Sequence, residues 1–184
     1  QYAVYGTFND MVSENHAELG LKEMATHKVL SVCTKEETRC ITKAIAYHNA
    51  ASMPEDEDEK TLFYIRLLRD ADKLDIWKVL TDYYKKRNKQ PNSVLEIGLP
   101  DNPACSPQIL TAICRGRLAR IQDLRTLNDF KLLQISWVYD LNFGPSFHAL
   151  KTCKYIEQIE AALPHSKEIT EAVLHAHDYV NRHL

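Results

Sequence analysis

Asp72 is the first residue whose setting asks for chemistry. On a helical wheel at roughly 100° per residue it lies between Ile65 and Val79, so its carboxylate emerges from an apolar surface. A buried, unpaired carboxylate is costly, so Asp72 calls for a metal, a cation or hydrogen-bond donors. Asp70, between Trp77 and Phe63 on the same wheel, poses the same problem. A structural network in which Arg66, Arg69 and Lys73 neutralise both acids would answer it without any chemistry. His48 continues the apolar stripe of Ile41, Ala44 and Ile45, where a histidine reads either as a satisfied core residue or as a ligand. His16 lies one helical turn before Gly20. A mid-helix glycine costs roughly 1 kcal/mol relative to alanine, and so marks close approach of a packed helix or of a ligand.

These residues need helices to position them, and long stretches of the sequence carry helical rather than alternating periodicity. Residues 1–12 read as loop or short turns. Ser13 is the expected N-cap, with His16 at the third helical position, of a helix reaching about Leu30. A second helix is predicted over Lys35–His48, with Glu36 and Glu37 in its first turn suiting the helix dipole. An acidic connector, Met53 to Glu59, precedes a helix from about Lys60 to Arg87. Its apolar residues cover nearly the whole circumference, the mark of a buried helix, yet Arg69, Asp70, Asp72, Lys73 and Asp75 sit in its middle.

After a basic end at Lys85–Lys89, the stretch Val94 to Pro100 reads as an irregular linker. Ser106-Pro107 announces a helix to about Arg115, ended by Gly116. Further helices are expected over Leu124–Leu141, Pro145–Leu163 and Lys167–Leu184. Trp137, Tyr139, Phe143 and Phe147 fit core positions or the roof of a cleft. The fold class is all-α, with residues 1–90 and 91–184 as two regions of one structural domain.

Composition narrows the function. A net charge of -2 and a pI near 6.5 give no long-range pull on nucleic acid or an anionic membrane. The one basic cluster, Lys85 to Lys89, has no recognition helix or stacking platform around it, so no nucleic-acid partner is expected. No run approaches the roughly 18 apolar residues of a membrane span, so no membrane partner is expected either. Five cysteines are too scattered for a metal knuckle and odd in number, which favours reduced, mostly buried thiols in a cytoplasmic protein. The opening Gln1 to Gly6 has neither a basic nor an apolar signal segment and no initiator Met, and the natural polypeptide is expected to begin upstream.

Four runs occur in a telling order: Tyr5-Gly6-Thr7-Phe8, Asn15-His16-Ala17-Glu18-Leu19-Gly20, Ala44-Ile45-Ala46-Tyr47-His48-Asn49, and Leu68-Arg69-Asp70-Ala71-Asp72-Lys73-Leu74-Asp75. In order and spacing they resemble the central portion of HD-superfamily phosphohydrolases, with Leu133 to Asp140 suiting the later half of a bacterial subgroup. The resemblance implies an HD-domain-like helical bundle with additional C-terminal helices, cradling one or two divalent metals (Mn, Fe, Co, Ni, Zn or Mg). Such a metal activates water for attack on phosphorus and neutralises charge on the phosphoryl oxygens. By the same resemblance Asp72 is a metal ligand, and His16 and His48 bind phosphate or a second metal as catalytic residues. Arg69 and Lys73 would then pair with the phosphate of a small phosphorylated substrate or nucleotide. The family's early His and His-Asp pair are not found in the sequence before these runs. His177-Asp178 sits in the last predicted helix, out of order for the motif, and reads with His175 and His183 as a weakly basic surface. The alternative is a non-catalytic helical module that uses the same scaffold for binding or regulation.

Overall fold

A capping side chain starts nearly every long helix of this chain, and the caps explain where the helices begin. The computed structural model describes residues 2–6 and 13–184, and every regular element among them is helical. Tyr2–Tyr5 form one short helix, α1, where the sequence predicts loop or turns; Thr7 and Phe8 of the first motif run lie outside the described residues. The chain divides into two units, residues 1–72 and 73–184, with the boundary inside a continuous helix.

The first unit holds α2 (His16–Thr26), α3 (Lys35–Tyr47) and the start of α4 (Glu59–Tyr84). The cap of α2 is Asn15 rather than Ser13: its Oδ1 accepts from the backbone N–H of Ala17 at 2.8 Å and of Glu18 at 3.3 Å. The helix stops four residues before Leu30, because Lys28 takes a left-handed φ of 49° that no helix can pass through. Gly20 has nothing within 4 Å of the place a Cβ would occupy, so no close approach explains it. On α3, Thr34 and Glu37 form a reciprocal capping box. The acidic connector is only partly solvated: Glu57 pairs with Arg39 at 2.6 Å and Lys43 at 2.7 Å. Asp58 pairs with Arg39 at 2.6 Å and its Oδ1 accepts from the N–H of Thr61 at 2.8 Å, which starts α4.

Helix α4 runs unbroken for 26 residues. It is not buried all round, as its apolar circumference predicts: Phe63, Tyr64, Leu67 and Val79 are between 41% and 47% exposed. The buried positions are Thr61, Ile65, Arg69, Lys73, Trp77 and Thr81, joined by Asp70, Leu80 and Tyr83. Steps of four residues advance roughly 40° around the helix each time. The buried stripe therefore winds around α4, and apolar residues are needed on different faces at different turns. That resolves the conflict in the sequence, because four of the six residues of the winding stripe (Thr61, Arg69, Lys73 and Thr81) are polar.

The second unit carries a large apolar core, drawn from Trp77, α5 (Pro107–Cys114), α6 (Leu127–Ser136), α7 (Gly144–Thr152), α8 (Tyr155–Glu160) and α9 (Lys167–Asn181). Trp77 is fully buried, donates its Nε1–H to the carbonyl of Gln134 at 3.1 Å and stacks on Tyr155 with ring centroids 6.2 Å apart. The expected helix over Leu124–Leu141 begins later, at the Thr126–Asp129 capping box, and ends in a 3-10 turn over Trp137–Asp140. The expected helix over Pro145–Leu163 is two helices, broken where Lys154 adopts φ 54°. Val94 to Pro100 is irregular, as expected, with Ile97 and Gly98 both at positive φ. Its Glu96 is buried and accepts hydrogen bonds from the Tyr83 hydroxyl and the Arg87 guanidinium, while Lys85, Lys86 and Lys89 of the basic helix end are exposed. The five cysteines are all free, but only Cys40 is buried and Cys153 is exposed. No helix among the described residues is long and apolar enough to cross a membrane.

Candidate functional site

Helices α2 and α3 bring together two of the motif runs, and they do so through paired dipeptides. His16, the first residue of α2, places its Nε2 2.9 Å from the Nε2 of His48, at the end of α3. Their rings meet edge to face, with centroids 4.9 Å apart. The neighbouring residues meet as well: the Asn49 amide donates to Asn15 Oδ1 at 3.4 Å.

The tautomers follow from the partners. His48 Nδ1 lies 2.7 Å from the carbonyl oxygen of Ile45, so Nδ1 carries a hydrogen and donates it. In neutral His48 the Nε2 is then a bare acceptor, and His16 Nε2–H is the donor to it. The pair is thus two imidazoles joined by a single proton, part-exposed at the meeting of two helix ends. An anion oxygen that displaced this bond would find two ring nitrogens able to donate, provided one further proton is taken up.

Arg69 fixes the turn that carries His48. Its side chain is buried, and Nη1 donates to the carbonyls of Tyr47 at 2.8 Å and Ala50 at 2.7 Å. These two carbonyls bracket His48 and Asn49. A guanidinium on the carbonyl end of α3 also suits the helix dipole. Lys73 is buried and pairs with Asp140 at 2.7 Å, both within the second unit. Among the charges of α4, Arg66 reaches Glu59 at 3.7 Å, Arg69 donates to backbone carbonyls and Lys73 pairs with Asp140.

Asp70 is 1% exposed, the more buried of the two acids. Asp72 is half-buried, not enclosed by apolar surface, and among the described residues it has no hydrogen-bonding or ionic partner. Two nitrogens held by one metal at about 2.0–2.1 Å in tetrahedral geometry stand roughly 3.3 Å apart. The 2.9 Å between His16 and His48 is a hydrogen-bond distance instead. Among the described residues no group of three or more His, Cys, Asp or Glu side chains lies where one metal ion could be held. These residues alone do not fit the implied metal.

Two features escaped the sequence reading. A cavity of about 610 Å³ lies between α3 and the start of α4, walled by Ile41, Ala44, Ile45, Tyr64 and Leu68, with Lys60 among its lining residues. The exposed aromatics of α4 are the signal that would have found it. In the second unit, arginines around Gly116 line a separate pocket. The expected basic surface at the C-terminus is in part an aromatic cluster, because His183 stacks on Phe147 at 5.0 Å between centroids and lies 4.1 Å from Tyr179. Compared with known proteins, the chain matches no family model, no curated protein and no solved structure. The resemblance to HD-superfamily phosphohydrolases rests on its motif runs alone.

Proposed function

We propose that this chain acts on the phosphate of a small phosphorylated molecule or nucleotide, as an HD-type metal-dependent phosphohydrolase. The observation that carries the reading is the meeting of Asn15-His16 with His48-Asn49 across more than thirty residues. In this reading His16 and His48 present ring N–H groups to a phosphate oxygen, and Arg69 is a positioning residue that holds the His48 turn. In this reading Asp72, part-exposed and without a side-chain partner among the described residues, would be one ligand of a divalent metal whose other ligands must come from beyond the described residues. The metal, when bound, would supply activated water and charge neutralisation.

A second reading has an observation of its own. The described residues do not assemble three metal ligands, which favours a helical module that binds a phosphorylated ligand without hydrolysing it. One experiment separates the two. The purified chain is analysed for bound metal, then assayed for phosphate release from a panel of phosphorylated metabolites with Mn, Fe, Co, Ni, Zn or Mg added. Release that His16→Ala and Asp72→Ala each abolish supports hydrolysis. Binding of inorganic phosphate that His16→Ala weakens, with no bound metal and no release, supports the second reading. No phosphate binding and no release would overturn both.

A further inference from the structure

The second unit contains a basic pocket that the reading above does not use. Residues 107–125 hold four arginines (Arg115, Arg117, Arg120 and Arg125) and one acid, Asp123, in a chain whose net charge is -2. Three of the four line one pocket of about 480 Å³, together with Gln108, Thr111 and Asp123. That volume falls in the range of small-molecule sites.

Local structure explains why the three converge. Helix α5 ends in a left-handed turn: Gly116 takes φ 66°, Gly116 N–H bonds to the carbonyl of Ile113 at 2.9 Å and Arg117 N–H to that of Ala112 at 2.9 Å. The chain therefore folds back beside α5, and Arg117 and Arg120 face the same space as Gln108, Thr111 and Arg115 on the helix.

A structural role accounts for part of the charge only. Arg115 sits at the C-cap, where a cation complements the helix dipole. Arg120 is engaged, with its Nε 3.0 Å from Asp123. Arg117 lies beyond the helix, and among the described residues neither Arg115 nor Arg117 has a carboxylate partner. Two available guanidinium forks beside an amide and a hydroxyl form a donor-rich cleft with one acceptor carboxylate, already paired. Guanidinium forks match the oxygens of a phosphate in pairs.

We propose that this pocket binds a small phosphate-bearing anion, with Arg115 and Arg117 as its principal ligands and Arg120, Gln108 and Thr111 completing the donors. The cleft is open and its arginines are exposed, and its volume of about 480 Å³ suits a small molecule.

The test is calorimetric titration of the whole chain with inorganic pyrophosphate, on the wild type, on Arg115→Ala/Arg117→Ala and on His16→Ala. Both arginines are exposed, so the double variant is expected to fold, and its circular dichroism and Tm check that. The proposal expects saturable binding that weakens about tenfold or more in the arginine variant and is retained in His16→Ala. Loss in His16→Ala alone would assign the binding to the imidazole pair and overturn the pocket. Absence of binding in the millimolar range, or equal affinity in the arginine variant, would overturn it too. So would a response only to duplex DNA with a steep salt dependence, which marks a polymer-binding surface.

Discussion

Replacing Asp129 by Asn should destabilise the second unit far more than a one-atom change suggests. Asp129 is fully buried at the first turn of α6. Its Oδ1 accepts from Ser106 N–H at 2.6 Å, and its Oδ2 accepts from the Ser106 hydroxyl at 2.7 Å, Arg125 N–H at 2.9 Å and Thr126 N–H at 3.1 Å. One carboxylate thus fastens the starts of both α5 and α6. An asparagine would turn its amide to lose the fewest bonds, placing NH₂ against Ser106 N–H and its oxygen toward the other three donors. The buried Ser106 N–H then faces a donor, at a cost of about 1–3 kcal/mol. The three remaining bonds pass from a charged to a neutral acceptor, each weaker by roughly 0.5–1 kcal/mol. The sum is about 2.5–6 kcal/mol, a large share of the roughly 5–15 kcal/mol that holds a domain together. At roughly 2–4 °C per kcal/mol for a chain of this size, Tm should fall by about 5–24 °C. Urea unfolding followed by tryptophan fluorescence measures the loss directly, since Trp77 and Trp137 both lie in this unit. Ser106→Ala removes the hydroxyl bond alone and should cost about 1–2 kcal/mol. A loss below about 1 kcal/mol for Asp129→Asn would refute the reasoning, for it would mean the three backbone N–H groups find other acceptors.

Two pH responses follow from other groups. Burial pushes the phenols of Tyr139 and Tyr155 up to about 12. The folded state therefore favours the neutral phenol: this stability is complete below about pH 10 and is lost as pH rises through 12. Absorbance titration should show the two ionising late, together with alkaline unfolding; simple titration near the ordinary tyrosine value would contradict it. At the acid end, the Thr61 N–H and then the Arg39 guanidinium hold Asp58 down at about 2, from an ordinary 3.8. That contribution is present above the unfolded value and disappears as pH falls through 2. Helicity should thus show an acid transition between about pH 4 and pH 2 that is muted in Asp58→Asn, and identical acid curves would count against this account.

The helical class was legible because periodicity is a local signal, and so was the α3 start at Lys35, where Glu36 and Glu37 mark an acidic first turn. The same logic failed at Asn15 and Thr126 for a reason of choice rather than type. Ser13 and Asn15 are both competent caps by residue type, and Asn15 is the one whose Oδ1 accepts from the first N–H groups of α2. At Lys154 the sequence offers no glycine to announce a left-handed residue. That break is enforced by the burial of Phe147 and Leu150 on one side and Tyr155, Ile156 and Ile159 on the other, which a single straight helix would not aim into one core.

The candidate site divides in the same way. That His16 and His48 belong together was legible only through the resemblance, since thirty-two residues of separation leave no spacing rule to join them, and their contact depends on how α2 and α3 pack. The wheel argument for Asp72 went astray for a physical reason that generalises. It took α4 as buried all round, whereas the buried stripe winds around it in steps of four, so a residue flanked by apolar neighbours on the wheel can still be half-exposed at its own turn. Arg69 falls on the stripe and Asp72 does not. The buried arginine therefore holds the His48 turn through the Tyr47 and Ala50 carbonyls, while the aspartate is only half-buried at its own turn.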